Sequence, residues 1–159
     1  MPPLFSLPFH FMRIFGLLAT LAFLSGCGSK PSSLEDLGNR DITLPGGQIV
    51  RVETMMDPKD MLRGLMFRTS LAPNRGMLFV HARPGLFGYW MYQTYIPLDI
   101  VWMDSTRHIV EIVANAPPCK TEASKCPHFG GTQPAQYVLE IAGGLAQKYG
   151  LRVGDEVSF

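Results

Sequence analysis

The sequence predicts a mostly β domain, a small β-sandwich of jelly-roll type with one short helix near residues 58–66. Three observations carry this expectation. Gly 16 and Pro 13 in a chain of 159 residues are high for a helical bundle, because both residues disfavour helix interiors. From residue 40 onward, seven or eight short apolar or alternating runs are separated by turn residues, the spacing of sandwiches and barrels. Most of these runs are joined by turns too short for the crossover that parallel strands require.

The elements follow in order. Asp41-Ile42-Thr43-Leu44, the turn Pro45-Gly46-Gly47 and Ile49 to Thr54 make strand, turn and strand, the second with alternating faces. Asp57-Pro58-Lys59-Asp60 is a helix start: an Asp cap, Pro at the first position and an acid facing the positive helix end. Met61, Leu62, Leu65 and Met66 then form an apolar stripe that should dock on a sheet, although Gly64 interrupts it. Met77 to Val80 is a continuous buried strand, and Pro84-Gly85 turns the chain. Phe87 to Tyr92 is aromatic, and alternation along it sets Trp90 opposite to Tyr89 and Tyr92. Leu98 to Met103, His108 to Ala114 and Tyr137 to Ile141 are further strands. Leu145 to Tyr149 makes one helical turn closed by Gly150, and Glu156 to Phe159 ends the domain as an extended segment.

Residues 1–26 have the layout of a secretory signal, with Met12-Arg13 as a plausible start and charge and an apolar run from Ile14 to Leu24. The run is short for a permanent membrane span. Leu24-Ser25-Gly26-Cys27 resembles a bacterial lipobox, in which small residues let the peptidase reach the bond before an acylated cysteine. Cys27 is therefore the expected lipidation site. Residues 27–39, small, polar and aperiodic, form a tether, and 40–159 form a single globular domain. Gly28 after the cysteine favours the outer over the inner membrane, facing the periplasm. The membrane, reached through the lipid, is the expected partner.

Hydrophobic residues at 47% and charged residues at 17% exclude a mostly unfolded chain. Lys+Arg 14 against Asp+Glu 13 leaves +1, and loss of Arg13 with the leader leaves none, so the domain has no electrostatic footprint for nucleic acid. Cys119 and Cys126 lie in the patternless segment Asn115 to Pro134, and in an oxidising periplasm they should pair. Closing so small a loop contributes about 2.5 kcal/mol. The competing reading is a metal site of Cys119, Cys126 and His128, whose spacing matches no common zinc signature. No metal and no cofactor is expected.

Arg63-Gly64-Leu65-Met66-Phe67-Arg68, Gly76 to Val80, Trp90-Met91-Tyr92-Gln93-Thr94, Ile96-Pro97-Leu98-Asp99-Ile100 and Tyr137-Val138-Leu139-Glu140 occur in this order. Together they resemble the domain-of-unknown-function 192 family, over about Ile42 to Phe159. The resemblance implies a compact β-sandwich with a short helix and no established activity. The family usually has Trp-Met-Lys-Asn-Thr where this chain has Tyr92 and Gln93, so any role of that Lys charge is absent here.

No nucleophile elbow, zinc-protease helix or phosphate loop is present. The three histidines after the leader, His81, His108 and His128, are scattered, and each has a structural role as its simplest reading. The methionines lie on different elements, where packing is a better account than copper binding. The polar residues among the motifs are the candidates: a ligand cleft of Arg63, Arg68, Trp90, Gln93, Thr94, Asp99 and Glu140. For Asp99 the favoured reading is structural, a buried Arg–Asp pair, since a lone charge in an apolar strand costs several kcal/mol. Trp102 should fill the core. The preferred function is a lipid-anchored binding or accessory module for a small polar ligand or cell-envelope glycan, without catalysis. The alternatives are a hydrolase that uses Asp99 and Glu140 as a carboxylate pair and a purely structural docking domain.

Overall fold

The computed structural model describes residues 38–159; the leader, Cys27 and the tether up to residue 37 lie outside them. The fold is mostly β. Strands β1 (Asn39–Thr43), β2 (Ile49–Met55), β3 (Arg75–Gly85), β5 (Leu98–Met103), β6 (Ile109–Ala116) and β8 (Ala135–Ala142) form one sheet in the order β1-β2-β3-β8-β5-β6. Strands β4 (Tyr89–Trp90) and β7 (His128–Phe129) form a separate ribbon. The helices are α1 (Pro58–Arg63) and α2 (Leu145–Lys148).

The sheet is mixed. β2 and β3 run parallel, with α1 in the crossover between them, and the other pairs are antiparallel. Because successive side chains point to opposite faces, the central strands feed two cores. Leu78, Val101, Leu139 and Ile141 pack with Leu145, Ala146, Leu151 and Val157 on one face. Met77, Phe79, Ile100, Trp102 and Val138 pack with Leu65 and Met91 on the other. The second layer is thus a ribbon with helical and loop cover on one side and α2 with the C-terminal segment on the other. The end of the chain bridges two edges, Ser158 to Thr43 and Glu156 to His108.

Asp57 caps α1, its carboxylate accepting from the Lys59 N–H at 2.8 Å. The helix is shorter than the stripe suggested. It stops at Gly64, whose φ of 45° is a region that favours glycine, and a Cβ there would lie 3.3 Å from the Phe79 ring. As a result Leu65 is buried while Leu62, expected to dock, is 64% exposed. Pro97 precedes β5, and the β5–β6 register slips between Leu98 and Ile100, the bulge that a missing ladder donor invites.

Cys119 and Cys126 form a disulfide, with Cα atoms 5.9 Å apart. Both sulfurs are consumed, which removes the metal reading for Cys119, Cys126 and His128. Cys119 also exchanges backbone hydrogen bonds with Met91 and Gln93, at 3.1 and 2.8 Å. The bridged loop leads straight into β7, whose His128 stacks on Trp90 with ring centroids 5.7 Å apart. The disulfide therefore secures the strap that holds Trp90.

Candidate functional site

Glu140 sits in the middle of the sheet, paired across β8 with Met77 of β3 and Ile100 of β5. Both neighbours are buried apolar residues, and Glu140 itself is 5% exposed. Among the described residues its carboxyl has no hydrogen-bond or ion-pair partner. Desolvation pushes its pKa up to about 8, since burial without compensation disfavours the charged form.

The carboxyl faces a small pocket of about 30 Å³. Its walls are Arg63 to Met66 from the end of α1 and the turn after it, Phe79 from β3, Tyr89 and Trp90 from β4, and Tyr92 and Thr94 beyond. Thr94 is 4% exposed and uses its backbone N–H on the Met91 carbonyl at 3.1 Å. Its hydroxyl makes no hydrogen bond among the described residues. Burial and the Glu140 charge together hold the Tyr89 hydroxyl well above its ordinary range. His81 reaches that hydroxyl with Nε2 at 3.1 Å and stacks on Phe87, while burial lowers the His81 pKa.

The rim carries backbone strain. Phe67 and Gln93 have φ of 65° and 52°, where a side chain costs about 1–3 kcal/mol per residue. The Phe67 N–H donates to the Gln93 carbonyl at 2.8 Å, so the two strained turns hold each other beside the pocket.

Of the candidates drawn from the sequence, the structure gathers Arg63, Trp90, Thr94 and Glu140 around one pocket. Three others are elsewhere. Arg68 makes a bidentate pair with Glu53, at 2.7 and 2.6 Å, in a neighbouring open cleft of about 530 Å³. Gln93 serves through its backbone, and its amide donates to the Tyr92 hydroxyl at 3.1 Å.

Asp99 lies on the opposite face of the sheet from Glu140. Its register partner on β8 is Ile141, of the first core. Its Oδ1 accepts from the N–H groups of Asn115 and Gly144 at 2.7 and 3.0 Å, and its Oδ2 from that of Ala146 at 2.6 Å. Neither reading of Asp99 holds as stated: it is not in the pocket, and its partners are backbone amides and not an arginine. The same geometry removes the carboxylate pair. Asp99 and Glu140 are separated by the sheet, so no substrate can lie between them.

The aromatic readings also change. Trp102 fills the core, fully buried, with its indole N–H donating to the Phe87 carbonyl at 2.8 Å. Trp90 was expected to face away from Tyr89 and Tyr92, yet all three line the pocket, and the Trp90 and Tyr92 rings are 5.2 Å apart. Residues two apart share a face of an extended segment, so Tyr92 belongs beside Trp90 and the expected opposition of those two was mistaken; only Tyr89, next to Trp90 in the two-residue β4, departs from alternation. Tyr89, Phe79, Met61 and Met66 were missed as pocket residues. The unusual density of aromatics from Phe87 to Tyr92 was the available signal.

Fold and site define a small mixed-sheet domain with an unpaired acid under an aromatic pocket. The chain belongs to the domain-of-unknown-function 192 family, described as "Uncharacterized ACR", whose model matches residues 42–159. It is similar to a protein of unknown function from Novosphingobium aromaticivorans DSM 12444, at 34% identity over 76% of this chain and 85% of that one, with a TM-score of 0.67. It is also similar to a protein from Sinorhizobium meliloti 1021 described as a candidate transcription regulator, at 31% identity over 74% of this chain and 89% of that one, with a TM-score of 0.66. Among curated proteins, none matches.

Proposed function

We propose that this chain is a binding module of the bacterial cell envelope, held to the membrane by an acylated Cys27 and taking a small ligand in the pocket over Glu140. The unpartnered Glu140 carboxyl carries the reading. An isolated acid in an apolar sheet face costs several kcal/mol, and such a group opening into a pocket is a mark of a functional site. The strained turns at Phe67 and Gln93 support it, because strain of this kind clusters at ligand clamps. A carboxylate-pair hydrolase is disfavoured, since among the described residues no second carboxylate lines the pocket.

The test is a thermal-shift panel on the purified chain, with amines, amino acids, monosaccharides, peptidoglycan fragments, carboxylic acids and nucleotides. At least one class should raise the melting temperature and lose that effect in Glu140→Gln. A ligand at a hundred times its Kd adds about 2.7 kcal/mol, or about 8 °C for a domain of this size. A panel in which no class shifts the parent more than the variant overturns the binding reading. The anchor is tested separately by fractionation: Cys27→Ser should leave the protein in the soluble periplasm or stall its processing. Unchanged membrane partition with normal cleavage overturns the anchor.

A further inference from the structure

The pocket over Glu140 does not stand alone. Met61, Leu62, Tyr89 and Trp90 line it and also line an adjoining open groove of about 440 Å³, completed by Pro58, His81, Leu86, Phe87 and Gly88. The groove is apolar and exposed, with Leu62 and Leu86 at 64% and 65%. A narrow acid-floored hole thus opens into a wide greasy channel.

Resting on the binding reading above, we infer that this composite site takes a primary ammonium group on an unbranched apolar stem, the chemistry of an alkylamine or a lysine side chain. Size comes first. The free volume of about 30 Å³ suits a small head group better than a sugar ring, and a buried acid disfavours a phosphate by charge. Charge comes second. Two buried polar side chains line it, the Glu140 carboxyl and the Thr94 hydroxyl, and among the described residues neither has a hydrogen-bond partner to displace. The walls are aromatic, from Phe79, Tyr89, Trp90 and Tyr92, and aromatic faces attract cations, most strongly where water is excluded. Arg63 lies at the exposed end, where solvent screens its repulsion. Leu62 and Leu86, both exposed along the adjoining groove, offer the apolar surface for the stem.

Entry of the ammonium requires the ionised acid. Below pH 8, binding therefore expels the proton that burial keeps on Glu140, and the proton goes to solvent. The groups that face Glu140 from the surrounding elements are Tyr89, Tyr92 and Arg63. Tyr89 stays neutral throughout. His81 meets the pocket only through the Tyr89 hydroxyl.

Calorimetry of the purified full chain with hexylamine, methylamine, hexanol and N-acetyl-lysine methylamide tests this. Hexylamine should bind at least tenfold more tightly than hexanol, and its affinity should rise about tenfold from pH 6 to pH 7, with proton release visible as a buffer-dependent heat. Glu140→Gln should abolish the preference for the amine. Leu62→Ser should weaken hexylamine several-fold and leave methylamine unchanged. Binding of the lysine derivative comparable to hexylamine assigns the site to lysine side chains, and its exclusion assigns it to free amines. Hexanol binding as tightly as hexylamine, or hexylamine indifferent to Glu140→Gln, overturns the inference. In that case a non-amine hit in the thermal-shift panel leaves the binding reading standing, and an empty panel removes both.

Discussion

At pH 8 the Glu140→Gln variant is expected to melt about 10 °C above the parent; the gap should vanish at about pH 6, where the ionisation penalty has fallen to the cost of the buried amide, and reverse at lower pH. The argument is one of linkage. Glu140 titrates near its ordinary value of 4.5 when unfolded and at about 8 in the folded domain. Between those values the folded state retains a proton that the unfolded chain has lost, so stability falls as the pH rises through this window and levels off above it. Each unit of separation is worth about 1.4 kcal/mol, and the full penalty is about 4–5 kcal/mol. Glutamine removes the titration but brings an amide that must itself be buried, which costs about 1–3 kcal/mol. The net gain is about 2–3 kcal/mol, or about 10 °C. His81, whose pKa burial lowers, is present in both proteins and drops out of the difference. Melting curves of the two proteins at pH 5, 6, 7 and 8 decide the matter. A constant offset across that range would show that Glu140 does not titrate as its surroundings require.

Asp99→Asn should act in the opposite sense, lowering stability by about 3 kcal/mol and the melting temperature by about 10 °C. The native carboxylate accepts three backbone hydrogen bonds from Asn115, Gly144 and Ala146, and it ties β5 to the Gly144 turn at the start of α2. Asparagine can keep the two bonds to Oδ1, but it turns an N–H₂ group against the Ala146 N–H, where Oδ2 accepts at 2.6 Å. A buried donor then faces another donor, and a charge-assisted bond is lost. Because Asp99 lies across the sheet from the pocket, ligand affinity of the folded variant should be unchanged. Urea unfolding measures the first effect and calorimetry the second. Equal stability of the two proteins would remove Asp99 as the anchor of α2. Lost affinity in a well-folded variant would mean that the two faces communicate.

The opposite signs expected at Glu140 and Asp99 mark the limit of what the sequence conveys. In the sequence the two residues look alike, acids inside apolar strands, and each demands a partner. Asp99 has three, all backbone amides contributed by β6 and the turn into α2. Glu140 has none. Backbone donors leave no trace in residue identity, so no inspection of side chains could have told the two acids apart.

The sequence by itself determined the mostly β class, the Asp57 cap of α1, the buried run of β3 and the core role of Trp102. These follow from local chemistry: periodicity, capping and turn residues act over a few positions. Five ordered motifs also carried the family. The tertiary structure alone decided the rest. The stop at Gly64 depends on the Phe79 ring from another strand. The parallel β2–β3 pair depends on where the crossover returns. The convergence of Tyr89 with Trp90 on one pocket depends on the short β4–β7 ribbon. Above all, the separation of Asp99 from Glu140 is a matter of register. Adjacent strands place Ile141 opposite Asp99 and Ile100 opposite Glu140, and a one-residue slip would exchange the faces. Register is set by the pairing of segments distant in the chain, which is why the chemistry of this site becomes visible only in the folded sheet.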